Sequence, residues 1–229
     1  MTTLLVIAKE PRPGRVKTRL TPPFTPEEAA ELAAAALEDT LRAVAGAPAH
    51  RRVLVLDGEP GPWLPPGFDV VPQCQGGLDE RLADAFARCA GPALLIGMDT
   101  PQVTPDLLDV DFAGCDAYFG AAQDGGFWAL GMAEPDPGLL RGVPMSTATT
   151  GAVQRQRLHA AGLRVGELPC LRDVDTAADA HAVAALTPRG RFAARLARCA
   201  AVTGPDARQA AAGHSPSAAR PAPGPGGSR

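Results

Sequence analysis

Lysine is nearly missing from this chain of 229 residues: of 22 basic side chains only Lys9 and Lys17 are lysine, and the rest are arginine. Past the first loop those arginines are dispersed and the net charge is −3. That excludes the basic stripe a nucleic-acid partner needs. Aromatics make up only 4% of the chain, too few for base-stacking platforms. The cysteines (Cys74, Cys89, Cys115, Cys170, Cys199) are scattered, odd in number and free of any C-x-x-C pair. This speaks against a zinc site or disulfide framework and for reduced thiols. No apolar run approaches the ~18 residues of a membrane span, and no basic segment precedes an apolar one as in a signal peptide. The expectation is a soluble, cytoplasmic protein with no membrane partner. A phosphate-binding G-x-x-x-x-G-K pattern, a G-x-G-x-x-G after the first strand and a G-x-S-x-G elbow are all missing, which disfavours kinase, dehydrogenase and serine hydrolase chemistry. His50, His159, His181 and His214 lie in unrelated contexts, so no nucleophile–base pair stands out.

What is present concentrates in one place. Both lysines fall within Lys9-Glu10-Pro11-Arg12-Pro13-Gly14-Arg15-Val16-Lys17-Thr18-Arg19-Leu20. Directly before it, Leu4-Leu5-Val6-Ile7 reads as a buried first strand. Lys9, Arg12, Arg15, Lys17 and Arg19 therefore crowd a strand exit, where open α/β sheets bind ligands. A polyanion fits there, most simply nucleotide phosphates; a solvated basic turn is the plain alternative.

The remaining chain alternates short apolar strands with helices. Thr25-Pro26-Glu27-Glu28 carries a capping box and opens an alanine-rich helix to about Ala45. Strands are expected at Val53-Leu54-Val55-Leu56, at Phe68-Asp69-Val70-Val71, from Pro92 to Gly97, and on either side of Asp124-Gly125-Gly126. Leu78, Leu82, Ala85, Phe86 and Cys89 recur at helical spacing. A short helix starts at Thr104, a longer one runs from Thr149 to Ala161 with Gly162 closing it, and Arg164 to Leu168 is a late strand. Helices follow from Ala177 and Arg189. This alternation argues for a mostly parallel mixed sheet covered on both faces, one domain over residues 1–202. Residues 203–229 turn to proline, glycine, alanine and serine without apolar period, and a disordered tail is expected.

Four further clusters carry chemistry. Asp99 follows the apolar run Leu94-Leu95-Ile96 at the same sheet edge as the cationic loop. It suits a hard divalent ion such as magnesium, or merely a turn. Asp173 and Asp175, one residue apart, share a face of an extended segment. Either supplies a second metal ligand, or Asp175 or Thr176 caps the next helix. In Gln123-Asp124-Gly125-Gly126-Phe127-Trp128, Asp124 suits sugar hydroxyls and Trp128 an apolar floor, against a plain hairpin turn. Gln75-Gly76-Gly77-Leu78-Asp79-Glu80-Arg81 offers close backbone approach, against an ordinary helix start with acidic first-turn residues.

Taken in order, these clusters resemble the bacterial DUF2064 proteins, a group of GT-A-like glycosyltransferases with members assigned to arsenosugar biosynthesis. The resemblance covers roughly residues 3 to 185. It implies a nucleotide-diphospho-sugar transferase fold, a Rossmann-like three-layer α/β/α sandwich. It further implies that Lys9, Arg15, Lys17 and Arg19 hold nucleotide phosphates, with Gly77 and Leu78 near the base. Asp99 and Asp175 would hold Mg2+ or Mn2+, with Asp173 as runner-up. Asp124, Gly125, Gly126 and Trp128 would face the sugar or a small-molecule acceptor, with Asp99 and Asp124 catalytic. Without an ion, Asp99 and Asp175 should repel, one of them taking a proton or a water network. Two positions depart from the family pattern: Met145 stands for the usual tryptophan, and Ala177-Ala178-Asp179 for Pro-Glu-Asp. The 2-phospholactate guanylyltransferase group is a close relative. It shares the first loop and the Asp-Val-Asp-Thr end but has Gly-Thr-Gly-Thr where this chain has Asp124-Gly125-Gly126-Phe127-Trp128. A metal-dependent glycosyltransferase therefore ranks first, a nucleotidyltransferase second and a non-catalytic nucleotide-binding protein third; a homo-oligomer stays open.

Overall fold

In β1 (Thr3–Lys9) the strict alternation of side chains across a strand serves two cores at once. Leu4, Val6 and Ala8 pack to one face of the sheet, Leu5 and Ile7 to the other. The same holds for β2 (Arg51–Asp57) and β4 (Ala93–Ile96), which is why both read as unbroken apolar runs. The computed structural model describes residues 2–202; the expected tail at 203–229 lies outside them.

Between and after these strands come α1 (Pro26–Gly46), β3 (Asp69–Pro72), α2 (Leu78–Ala87), α3 (Pro105–Leu108), β5 (Ala117–Ala122), β6 (Phe127–Met132), α4 (Thr150–Ala160), β7 (Val165–Leu171), α5 (Ala177–Leu186) and α6 (Arg191–Val202). Short 3-10 turns at Thr18–Leu20 and Pro137–Leu139 had no signal in the apolar pattern. The seven strands form one sheet in the order β3-β2-β1-β4-β6-β5-β7. Only β6 runs antiparallel to its neighbours β4 and β5. Leu37, Leu41 and Val44 of α1 cover one face. Leu82 and Phe86 of α2 with Leu158 of α4 cover the other. Val183 of α5 and Phe192 and Leu196 of α6 add to the α1 side around Leu32 and Ala36. The result is the expected three-layer α/β/α sandwich with a mostly parallel mixed sheet.

Threonine caps open α1 and α5 in the same way. Glu28 N–H donates to Thr25 Oγ1 at 3.2 Å and Thr25 N–H to Glu28 Oε2 at 2.8 Å, starting α1 as the sequence predicts. At α5 the cap is Thr176, paired with Asp179. Capping is thus done by the threonine, and Asp175 is released to the sheet edge.

Candidate active site

Because the parallel strands share a direction, their C-terminal ends meet at one edge, and β6 begins there. Along that edge, in sheet order, stand Gln73 after β3, Asp57 ending β2, Lys9 ending β1 and Asp99 after β4. Asp124 lies in the turn between β5 and β6, and Asp173 and Asp175 follow β7. A cleft of about 840 Å³ opens here, within the range of ligand sites, roughly 300–1,000 Å³.

At its centre is Lys17. Its backbone is left-handed (φ 49°, ψ 39°), an uncommon state outside glycine. From there its ammonium reaches Asp99 Oδ1 at 2.8 Å and Asp175 Oδ1 at 3.1 Å, with only 8% of the side chain exposed. Burial pulls the lysine pKa down, but the attraction and hydrogen bonds of the two carboxylates outweigh it, and the net shift is upward. One ammonium touching both carboxylates keeps them far closer than the roughly 10 Å limit for a shared ion. The backbone joins them as well: Val174 N–H donates to the Asp99 carbonyl at 3.0 Å. Arg19 Nη1 adds an exposed contact to Asp175 Oδ2 at 3.4 Å.

Where a proton or a water network was expected between Asp99 and Asp175, the Lys17 ammonium stands. Lys17 offsets one of the two charges of that pair, and the carboxyl pushed toward its protonated form is Asp173. Burial first, then the charges of Asp99 and Asp124, push the Asp173 carboxyl up to about 7, against the pull of Lys17. Negative charge therefore exceeds what the lysine compensates. Hard carboxylate oxygens in excess fit a divalent ion such as Mg2+ or Mn2+. The side chains are not yet closed around such an ion: among the described residues no three His, Cys, Asp or Glu groups gather to hold one. The point between Asp99 and Asp175 belongs to the Lys17 ammonium.

The other sequence candidates separate. Lys9, Arg15 and Arg19 line the cleft with Lys17. Arg12 instead pairs with Glu10 at 2.7 Å. Leu78 lies on the cleft, 42% exposed. Gly77 does not; its N–H is spent on Glu80 Oε2 at 2.8 Å, and Gly76 lines the wall in its place. Asp124 and Gly126 line the cleft, with Gly126 N–H donating to Asp124 Oδ1 at 2.8 Å. Gly125 (φ +91°) turns against α4, where a Cβ would run into the Ala148 carbonyl, and its own carbonyl accepts from Gly151 N–H at 2.8 Å. Trp128 borders the cleft but is only 2% exposed. Its Nε1–H donates to the Pro169 carbonyl at 3.0 Å and its indole covers Gly120, so it is a supporting core residue more than a floor.

Sequence reasoning gave no role to two groups. Gln73 and Arg81 line the end of the cleft next to β2 and β3. Gln73 Nε2 donates to the carbonyls of Ala8 (2.7 Å) and Val55 (3.1 Å), tying β1, β2 and β3 together. Arg81 Nη1 donates to Gln73 Oε1 and Asp57 Oδ2, both at 2.9 Å, and its Nε to the Gly76 carbonyl at 3.0 Å. A polar residue at each of two strand exits was the available signal. On the opposite wall Ser146 (φ 58°), Thr147 and Thr150 bring hydroxyls to the cleft at the start of α4. A run of Ser and Thr ahead of a helix reads as a cap and hides that second use.

Comparisons with known proteins agree with this fold. The chain is similar to a protein provisionally designated a nucleotide-diphospho-sugar transferase from Desulfovibrio desulfuricans G20, with 26% identity, 91% of this chain and 97% of that one covered, and a TM-score of 0.79. It shares its fold with CMP:2-keto-3-deoxy-manno-octonic acid synthetase complexed with CTP (12% identity, 82% and 98% covered, TM-score 0.53). It also shares it with 4-diphosphocytidyl-2C-methyl-D-erythritol synthase from Anaerococcus prevotii DSM 20548 (10% identity, 82% and 99% covered, TM-score 0.53). No curated protein sequence matches the chain. Residues 31–147, just over half of the chain, match the model of DUF2064, uncharacterized proteins conserved in bacteria, and the chain belongs to that family.

Proposed function

We propose that this protein is a metal-dependent glycosyltransferase that takes a nucleotide-sugar donor and passes the sugar to a small-molecule acceptor. One observation carries this: a single cleft sets the cations of the β1 loop against the carboxylates Asp99, Asp173 and Asp175, with Lys17 between them. A diphosphate is the ligand that needs both halves. Lys9, Arg15 and Arg19 meet its oxygens directly, and Lys17 turns to it from the carboxylates. Asp99 and Asp175 would then hold Mg2+ or Mn2+. Such an ion, when bound, supplies charge that offsets what the departing nucleoside diphosphate accumulates. The contribution of the chain itself is positioning and charge stabilisation. Asp124 keeps Oδ1 on Gly126 N–H, leaving Oδ2 to accept from a hydroxyl of the sugar or the acceptor. Ser146 and Thr147 offer further hydroxyls across the cleft. The similarity to the D. desulfuricans protein supports a sugar-nucleotide substrate.

A nucleotidyltransferase is the second reading, favoured by the fold held in common with the synthetase complexed with CTP and with the diphosphocytidyl-methylerythritol synthase. Incubation of the full chain and Mg2+ or Mn2+ with nucleotide sugars, and separately with nucleoside triphosphates and phosphorylated acceptors, tells them apart. Release of nucleoside diphosphate is the expected result. Release of pyrophosphate overturns glycosyl transfer in favour of the second reading. Nucleotide binding without either product leaves a non-catalytic binding protein.

A further inference from the structure

We propose that Arg81 selects the nucleobase, favouring a base that turns an oxo group toward the β2–β3 end of the cleft over one that turns an amino group there. This rests on the nucleotide reading above. The guanidinium is fixed on three sides. Nε is held by the Gly76 carbonyl at 3.0 Å, and Nη1 by Asp57 Oδ2 and Gln73 Oε1 at 2.9 Å each. The side chain is 22% exposed, so the group is largely shielded. Arg81 lines the cleft, and Nη2 is the one guanidinium nitrogen without a protein partner among the described residues, so it is the atom left to meet a ligand. Gln73 cannot substitute, because both its amide hydrogens are taken by the carbonyls of Ala8 and Val55. The free position of Arg81 therefore offers only donors, since a guanidinium can never accept.

Its surroundings suit a flat, neutral ring. Leu78 presents an exposed apolar side chain, 42% accessible. Gly76 (φ +119°) leaves backbone bare beside it, since a Cβ there would strike the Glu80 carboxylate. The site also lies toward the β3 end of the sheet, two strands from the β1 loop and farther still from Asp99 on β4. An oxo oxygen facing Nη2 accepts its hydrogen bond. An amino group there sets donor against donor and leaves a pre-oriented, shielded cation edge unpaired, which sites of this kind reject strongly.

Calorimetric titration of the full chain with Mg2+ tests this, using UDP, CDP, IDP, ADP and pyrophosphate as probes. UDP and CDP differ in oxo against amino at one ring carbon, together with the hydrogen on the adjacent ring nitrogen, and so do IDP and ADP. In whichever pair binds more tightly, the oxo member should bind about tenfold more tightly or better. Arg81→Met should compress that preference to within about threefold and leave pyrophosphate affinity unchanged. Equal or reversed order in the unaltered protein overturns the proposal. So does an Arg81→Met protein that keeps the preference, or one that loses pyrophosphate in parallel, which would make Arg81 a phosphate ligand. If Arg81→Met does not fold, Arg81→Gln, whose amide can donate or accept, should show the same compression, and the panel on the unaltered protein decides by itself. Failure of all five probes to bind the unaltered protein refutes the nucleotide reading itself, an outcome distinct from a missing preference among ligands that bind.

Discussion

On the proposed reading a single ammonium does two jobs in this cleft, and the two can be separated by substitution. Lys17→Ala removes a cation from the diphosphate and should weaken nucleotide binding roughly tenfold or more, the size of a charge-assisted hydrogen bond of about 1.5–3 kcal/mol. It also strips Asp99 and Asp175 of their counter-charge. Those carboxylates are 39% and 33% exposed, so solvent screens part of the cost, and a loss of about 1–2 kcal/mol in stability is expected rather than the ~3–5 of a fully buried pair. The same variant should bind Mg2+ more tightly than the parent in the absence of nucleotide, because the ion takes the place the lysine vacates. Calorimetry with UDP or GDP, and with Mg2+ alone, reads both effects. Unchanged nucleotide affinity in a folded Lys17→Ala protein would remove Lys17 from the phosphate site. That the lysine rests on carboxylates was not legible in the sequence. Its partner Asp175 is 158 residues away, and a loop rich in cations advertises only its attraction to anions.

At the scale of elements, the strands and the capped start of α1 were readable because apolar runs and a Thr-x-x-Glu pattern have local causes. The direction of β6 was not, since Phe127-Trp128-Ala129-Leu130 looks the same run either way, and its pairing with β4 is a property of the assembled sheet. The turn ahead of β6 holds the opposite wall of the cleft in place. Gly125 at φ +91° packs against Ala148, and a Cβ on Gly151 would sit 2.6 Å from the Gly126 carbonyl. Gly125→Ala should therefore cost about 1–3 kcal/mol in stability and push the segment 146–148 away from the cleft. Lower affinity for the sugar nucleotide than for the bare nucleotide is the expected binding signature, measured side by side by titration. The far edge of the sheet has its own tie. Arg164 takes both oxygens of Asp116, with contacts of 2.9 Å from side chain and backbone. Those side-chain hydrogen bonds lower the Asp116 carboxyl from 3.8 to about 2. A carboxyl whose folded pKa is depressed stabilises the fold above its unfolded value and loses that effect as the pH falls through its folded value. Asp116→Asn should thus be less stable than the parent at pH 5 and above, by a small margin for so exposed a pair. The two proteins should converge as pH drops from about 4 toward 2. Urea unfolding at stepped pH measures it, and a gap that widens on acidification would contradict the assignment.

For the whole molecule, binding and folding are one equilibrium. A nucleoside diphosphate at ~100-fold its dissociation constant stabilises by about 2.7 kcal/mol, equivalent to roughly 5–10 °C in Tm for a domain of this size. A thermal scan of UDP, GDP and ADP with Mg2+ should reveal a rise of that order for at least one of them; three flat traces at millimolar ligand would speak against a nucleotide site. That stabilisation has an order in time. Lys17 leaves the ribosome 158 residues ahead of Asp175, about 8–30 s at ~5–20 residues per second. Until then the lysine has only Asp99 to meet, β7 has not reached β5, and Asp173 is absent from the cluster. No ligand can draw a nascent chain toward its finished state by way of this cleft. The protein must complete its sheet on apolar burial and backbone pairing alone, and the proposed ligand would protect it only once synthesis of the last strand is over.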